Sequence, residues 1–232
     1  MEQACDQFEI IAHIESDYDE KFGVPRQSGL VSASREKIVF EKPYRSEDAL
    51  RGLEGYSHLW VIWRFSGVPE GEFHATVRPP RLGGNERMGV FATRSPFRPN
   101  RIALSSVKLE EIVHEGETAP YLVISGGDMM NGTPVLDIKP YLPYTDAHPE
   151  ARSGFSNAIG ERLSVICPPQ FLSSLQTEKR QALLQMLALD PRPTYQSDPD
   201  RIYGVHFAGM NVRFQVRDGV LTVVSAQPQA ES

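Results

Sequence analysis

Between Arg78 and Asp146 the chain gathers residue types that grip anions, turn tightly around small ligands and accept protons. From Arg78 to Arg101, six arginines (Arg78, Arg81, Arg87, Arg94, Arg98 and Arg101) accompany a single acid, Glu86, a local balance of +5 in that stretch. A guanidinium can hold a carboxylate or a phosphate through two parallel hydrogen bonds, so this run suits an anionic ligand or a nucleic-acid backbone. Its alternative role is to tie the loops together and keep them solvated. Two glycine-bearing turns follow, Gly126-Gly127 and Asn131-Gly132-Thr133-Pro134. Turns without side chains leave their backbone N–H and C=O groups open to a ligand. Asp128, Asp137 and Asp146 fall in the same region, and a positioned carboxylate base contributes on the order of 10² to 10⁴ to a rate. Asp137 could equally pair with Lys139 or cap a loop. Tyr141 and Tyr144 offer flat faces for an unstacked base, or serve as rim aromatics.

Common catalytic signatures are absent: there is no phosphate-binding G-x-x-x-x-G-K-[ST], no G-x-S-x-G elbow and no H-E-x-x-H. The six histidines are scattered without i, i+4 pairing, and Cys5 and Cys167 form no C-x-x-C unit. No metal site and no disulfide framework are therefore expected. The longest apolar run, near Leu59 to Trp63, is far shorter than the roughly 20 residues that cross a bilayer. Glu2 and Asp6 stand where a secretory signal would be basic. A reducing cytoplasm is the expected compartment. The net charge of −6 argues against a nucleic-acid partner only if charge is evenly spread, and the arginine run shows that it is not.

The elements that must position these residues are mostly strands. Alternation of Phe8, Ile10, Ala12 and Ile14 predicts a half-buried strand, and Lys37 to Phe40 a second, with a long Gly- and Pro-bearing loop from Tyr18 to Gly29 between them. Ser46 with Glu47 and Asp48 behind it predicts an N-cap and a short helix through Leu53 that stops at Gly55. Strand-like runs follow at Ser57 to Phe65, Phe73 to Val77, Met88 to Ala92, Ile102 to Val113 and Tyr121 to Ser125. Short strands with almost no helix between them predict a mainly β fold, an antiparallel barrel or sandwich, and exclude a doubly wound sheet. Past Tyr144 the composition turns polar and small. Helical spacing from Phe171 to Leu189 ends at Asp190-Pro191, and three strands follow, the last two joined by the hairpin signal Asp218-Gly219. The predicted organisation is a barrel over residues 1–146, a linker or excursion over 147–166, and a small α+β unit over 167–232.

Three segments identify a resemblance: Arg78-Pro-Pro-Arg-Leu-Gly-Gly, Gly-Val-Phe-Ala-Thr-Arg-Ser-Pro-x-Arg-Pro-Asn ending at Asn100, and Asn131-Gly-Thr-Pro-Val-Leu-Asp-Ile-Lys-Pro-Tyr-Leu-Pro-Tyr144. They resemble the TsaA-like (TrmO) family of tRNA methyltransferases, with weaker matches at Lys21 to Gln27, Arg51 to Trp60 and Asp190-Pro-Arg-Pro-x-Tyr195, so that the likeness runs along essentially the whole chain. The resemblance implies an antiparallel barrel working as a homodimer. It implies S-adenosylmethionine as cofactor and, as substrate, N6-threonylcarbamoyladenosine beside the anticodon in the anticodon arm of tRNA. Carried onto this sequence, the cofactor set is Gln27, Ser28, Gly29, Leu30, Ser66, Gly67, Arg94, Leu104, Asn131, Gly132, Thr133 and Pro134. Arg78, Arg81, Arg87, Arg98, Arg101, Tyr141 and Tyr144 are then the RNA-binding candidates and Asp137 the candidate catalytic carboxylate. The family often carries histidine at Ser66 and aspartate at Asn131, so contacts there are expected from the backbone. Other readings of the same barrel are a non-catalytic cofactor- or RNA-binding module and a small-molecule methyltransferase.

Overall fold

In a computed structural model, which describes residues 8–68, 73–156, 160–192, 196 and 198–229, six strands close into an antiparallel barrel. They are β1 (Ala12–Glu15), β2 (Glu36–Phe40), β3 (His58–Arg64), β6 (Ile102–Val113), β7 (Tyr121–Ser125) and β8 (Pro134–Pro140), in the order β1-β2-β7-β6-β3-β8. Period-2 alternation builds it: Leu59, Val61 and Trp63 of β3 point inward and are buried, while Trp60, Ile62 and Arg64 point outward. Ile14, Ile38, Leu122, Ile124 and Val135 complete the barrel core; each such side chain contributes about 1.5–3 kcal/mol on burial. A closed barrel leaves no edge strand to aggregate. Two short strands, β4 (Thr76–Val77) and β5 (Met88–Gly89), form a separate ribbon that carries the arginine-rich segment.

The C-terminal unit is a four-stranded sheet in the order β10-β11-β12-β9, formed by β9 (Ser164–Ile166), β10 (Tyr203–Phe207), β11 (Met210–Arg217) and β12 (Val220–Pro228). It packs with the helices α3 (Pro169–Leu172) and α4 (Thr177–Ala188). Asp218 and Gly219 take φ of 49° and 75°, as a type I′ hairpin requires. Ala208 and Gly209 make a second such turn, at 51° and 72°.

Several sequence expectations change in detail. The first strand begins at Ala12, not Phe8, and the helix after Ser46 is only α1 (Glu47–Leu50), followed by a 3₁₀ turn at Leu53–Gly55. Ser46 occupies the N-cap position without a side-chain capping bond. β8 falls inside a motif that reads as loop because prolines bound it; there Pro134 opens the strand and Pro140 ends it, positions where a missing N–H is tolerated. The segment read as a linker already contributes β9, which runs parallel to β12. The helix read over Phe171 to Leu189 is broken between Leu172 and Thr177. Pro193 and Tyr195 of the weak C-terminal motif, together with Glu2, Cys5 and Asp6, lie outside the described residues.

The long loop after β1 does more than connect. Tyr18 and Val31 are buried in the core of the C-terminal unit, where the Tyr18 ring meets Phe207 edge-on at 5.6 Å. Asp17 pairs with Lys179 at 2.6 Å, and the Ala33 N–H donates to Gln185 Oε1 at 3.1 Å. At Gly23 the loop passes so close to β10 that a Cβ there would lie 2.5 Å from Val205 Cγ2. The C-terminal unit thereby braces the loop that carries Gln27 to Leu30.

Candidate functional site

The β7–β8 connection, residues 126–133, is the hub of the site. Gly126 sits at φ +74°, where a Cβ would lie 3.2 Å from Gly29 Cα. Two glycines at this crossing let the backbones touch, and Gly29 N–H donates to Gly126 O at 2.8 Å. Asp128 comes next. Its Oδ1 accepts the Ser105 hydroxyl at 2.5 Å, and Ser105 Oγ in turn accepts the Trp63 indole N–H at 2.9 Å. Burial raises the Asp128 pKa, opposed by hydrogen bonds from Ser105, from its own backbone N–H and from Ser28 N–H, and by the nearby Arg94 charge.

Arg94 donates from its guanidinium to Gln27 Oε1. Gln27, Ser28, Gly29 and Arg94 are thereby gathered on one side of the hub. On the other, Gly67 lies against Met130, with a Cβ placed there 3.1 Å from the sulfur, which brings Ser66 and Gly67 to the turn Asn131 to Pro134. That turn is fixed by Asn131 N–H to Tyr18 O at 2.8 Å, Gly132 N–H to Ile14 O at 2.8 Å and Ile14 N–H to Thr133 O at 3.0 Å. Thr133 and Pro134 are buried, while Asn131 and Gly132 are exposed. Leu30 follows Gly29, its carbonyl accepting from Arg162 at 3.4 Å. Leu104 is next to Ser105 but points to the opposite face of the barrel wall, half exposed.

The remaining expected residues are dispersed. Asp137 lies on the outward face of β8 in register with Ile62; its Oδ2 is 3.2 Å from Lys139 Nζ and its Oδ1 accepts Ile138 N–H at 2.9 Å. The pairing with Lys139 is thus present, and the second contact lies within the strand, not at a loop. Asp146 fixes the end of β8 instead, accepting the Trp60 indole N–H at 2.7 Å and Leu142 N–H at 2.9 Å. Tyr141 packs on Trp60 at 5.3 Å and His58 at 6.2 Å, whereas Tyr144 projects from α2 (Pro143–Asp146) and is 87 % exposed. Arg78 and Arg87 are exposed, Arg87 donating to Thr76 Oγ1 at 3.1 Å. Arg81 belongs to the 3₁₀ turn Pro80–Leu82. Arg98 ties its own loop through Thr93 O at 2.8 Å, and Arg101, at φ 50°, accepts Phe65 N–H on its carbonyl at 2.9 Å.

Ser105, Trp63 and Glu36 had no local signal in the sequence. Glu36 is buried beneath the hub, where its Oε2 accepts Gly127 N–H at 3.3 Å. Its Oε1 and the Tyr18 hydroxyl have no hydrogen-bond partner among the described residues. Burial pushes the Glu36 carboxyl up to about 7, with hydrogen bonds from Ser34 and Gly127 opposing. A separate cleft of about 560 Å³ is lined by Glu47, Asp48, Glu54, Glu110 and Glu111 among others. It holds none of the expected site residues, and its acidic wall would repel an anionic ligand.

Comparison with known proteins decides the family. Residues 13–147 match the family model described as the tRNA-methyltransferase O N-terminal domain, and residues 160–229 match the TrmO C-terminal domain. The chain belongs to the TrmO family. The Escherichia coli K12 protein named tRNA (adenine(37)-N6)-methyltransferase is 43 % identical, over 96 % of this chain and 98 % of its own length. A Pseudomonas aeruginosa protein named putative S-adenosylmethionine-dependent methyltransferase RcsF is 42 % identical, over 88 % of this chain and 90 % of its own. A crystal structure of TrmO from Pseudomonas aeruginosa superposes with a TM-score of 0.77 at 32 % identity, covering 97 % of this chain and all of that one. The antiparallel barrel with an α+β C-terminal unit is therefore the TrmO fold. No helix among the described residues is long and apolar enough to cross a membrane.

Proposed function

We propose that this TrmO chain is an S-adenosylmethionine-dependent tRNA methyltransferase acting on N6 of N6-threonylcarbamoyladenosine next to the anticodon. The observation that carries this reading is the convergence of Gln27, Ser28, Gly29, Arg94 and the turn Asn131 to Pro134 on the β7–β8 hub. The residues present fit the cofactor: open glycine turns suit its adenine and ribose, and Arg94 suits a carboxylate. When bound, the cofactor supplies an electrophilic methyl group on a positively charged sulfur. The chain's own part is to orient and to exclude water, for which good positioning supplies roughly 7 to 11 kcal/mol. The carbamoyl group on N6 makes its N–H more acidic, so a carboxylate suffices to take the proton. Asp137, half-buried on the outer face of β8, is the proposed acceptor, and reaching N6 requires it to leave Lys139.

The tRNA reading also assigns the arginine ribbon to phosphates and Tyr144 to an unstacked base of the anticodon arm. Arg78→Ala is expected to weaken tRNA binding by several-fold and to lower the slope of log affinity against log salt by about 1; an unchanged slope would remove Arg78 from the interface. The family resemblance also implies a homodimer, and Leu104 at 51 % and Phe91 at 72 % exposure are apolar side chains that such an interface would cover. Sedimentation at micromolar concentration showing only a 26.0 kDa species would defeat it. A cytoplasmic location follows from the proposed substrate. The deciding experiment is transfer of labelled methyl to tRNA from cells lacking this gene, with the modified nucleoside mapped by mass spectrometry. Label on threonylcarbamoyladenosine is expected. Cofactor binding without any labelled RNA would overturn the tRNA assignment in favour of a binding module or a small-molecule enzyme.

A further inference from the structure

Asp128 is a half-buried charge at the centre of the hub that the expected cofactor set leaves out. Its protonation is dictated by its neighbours. The Ser105 hydroxyl accepts Trp63 N–H at 2.9 Å and donates to Asp128 Oδ1 at 2.5 Å. The Ser28 and Asp128 backbone N–H groups also favour its charged form. These donors and the Arg94 charge favour the carboxylate form against the burial that raises its pKa. A carboxylate has about four lone-pair positions, and the Ser105 hydroxyl takes one of them, which leaves room for a ligand's donor.

The opposite charge is close by. Arg94 acts on Asp128 through space while its guanidinium donates to the neutral amide of Gln27. Two fixed charges of opposite sign are each steadied by neutral partners, on segments brought together by the Gly29–Gly126 crossing. The ligand chemistry that matches is a zwitterion with an anion and a cation on one carbon.

We infer that Asp128 and Arg94 together clamp the α-amino-acid end of S-adenosylmethionine, Arg94 taking the carboxylate and Asp128 the ammonium. The inference rests on the proposal that this site binds that cofactor. It makes Asp128 a specificity residue, because a ligand with the same adenosine but no amino acid loses both contacts. The Trp63–Ser105 chain is then a positioning device that orients Asp128 from inside the barrel.

Calorimetry on the full chain without tRNA tests this, with S-adenosylhomocysteine and 5′-methylthioadenosine as probes. Wild type is expected to bind S-adenosylhomocysteine at least about tenfold more tightly than methylthioadenosine. Asp128→Asn keeps the shape and Arg94, and should lose about tenfold or more on S-adenosylhomocysteine but less than about twofold on methylthioadenosine. Equal losses on both ligands with a lowered melting temperature would mean that Asp128 only holds the loop, and would overturn the clamp. So would an unchanged affinity for S-adenosylhomocysteine. Should the variant not fold, wild type still decides, since equal affinity for the two probes is incompatible with a clamp. Failure of wild type to bind either S-adenosylmethionine or S-adenosylhomocysteine is a different result, and it removes the cofactor assignment itself.

Discussion

Arg94→Ala is expected to raise the dissociation constant for S-adenosylmethionine by roughly 30- to 1000-fold, about 2–4 kcal/mol, and to lower methyl transfer to tRNA accordingly. Two effects add. The guanidinium is the cation proposed to take the cofactor's carboxylate, and a charge-assisted pair of this kind is stronger than a neutral hydrogen bond. Its removal also leaves Gln27 Oε1 without its donor and Asp128 without the positive charge that offsets its burial. The site becomes more negative where an anion must sit. Arg94→Lys should recover only part of the loss, because a single ammonium keeps the charge but not the planar fork that reaches both Gln27 and a carboxylate. Isothermal titration with the cofactor alone separates this from any effect on tRNA. An affinity within threefold of wild type, on the order of 0.7 kcal/mol, would take Arg94 out of the cofactor site.

The parts of the fold that alternate strictly were legible in the sequence. Ile102–Val113 and Tyr121–Ser125 form the strands their patterns predict, because half-buried strands write a period of two into the chain. β8 was not legible, since Pro134, Asp137, Lys139 and Pro140 each read as loop and only pairing with β1 and β3 makes them a strand. The loop from Tyr18 to Gly29 was recognised as long, but its anchoring was hidden. Tyr18 and Val31 find their apolar partners in a unit that begins more than a hundred residues later, and no local pattern carries that distance.

The site divides in the same way. Glycines and Arg94 stand out in the sequence as candidates because their residue types match a motif and their chemistry is local. Asp128 was visible only as one of three carboxylates, and the structure separates the three by partner. Asp137 meets Lys139, Asp146 meets Trp60, and Asp128 meets Ser105. Which carboxylate faces a site depends on strand register: Ser105 and Leu104 are adjacent in sequence yet point to opposite sides of the barrel wall. A shift of one residue would exchange them. Glu36 left no trace at all, since a strand reading treats a glutamate among Lys37, Ile38 and Val39 as solvent-facing.

Glu36 gives the larger pH effect. Its carboxyl has a folded-state pKa of about 7 against an ordinary 4.5, so the folded protein binds a proton that the unfolded chain has already released over that interval. Stability from this group is fully present below pH about 4.5 and is lost as pH rises through about 7. At 1.36 kcal/mol per unit the loss is about 3 kcal/mol, or roughly 6–12 °C in melting temperature for a chain of this size. The groups around it act in the same direction: Asp128 and Asp17 are like charges, and the Tyr18 hydroxyl, itself pushed up by burial, brings no cation. Glu36→Gln keeps an oxygen for Gly127 N–H and removes the charge. The variant should match wild type near pH 4.5 and exceed it by about 3 kcal/mol at pH 8.5. Denaturant midpoints for the two proteins that run parallel from pH 4.5 to 8.5 would show that Glu36 does not carry a buried charge beneath the hub. If the curves diverge as expected, Glu36 is a buried acid that costs stability beneath the Gly126-Gly127 crossing at neutral pH. The carboxylate that accepts Gly127 N–H is then ionising there without a cation to meet it.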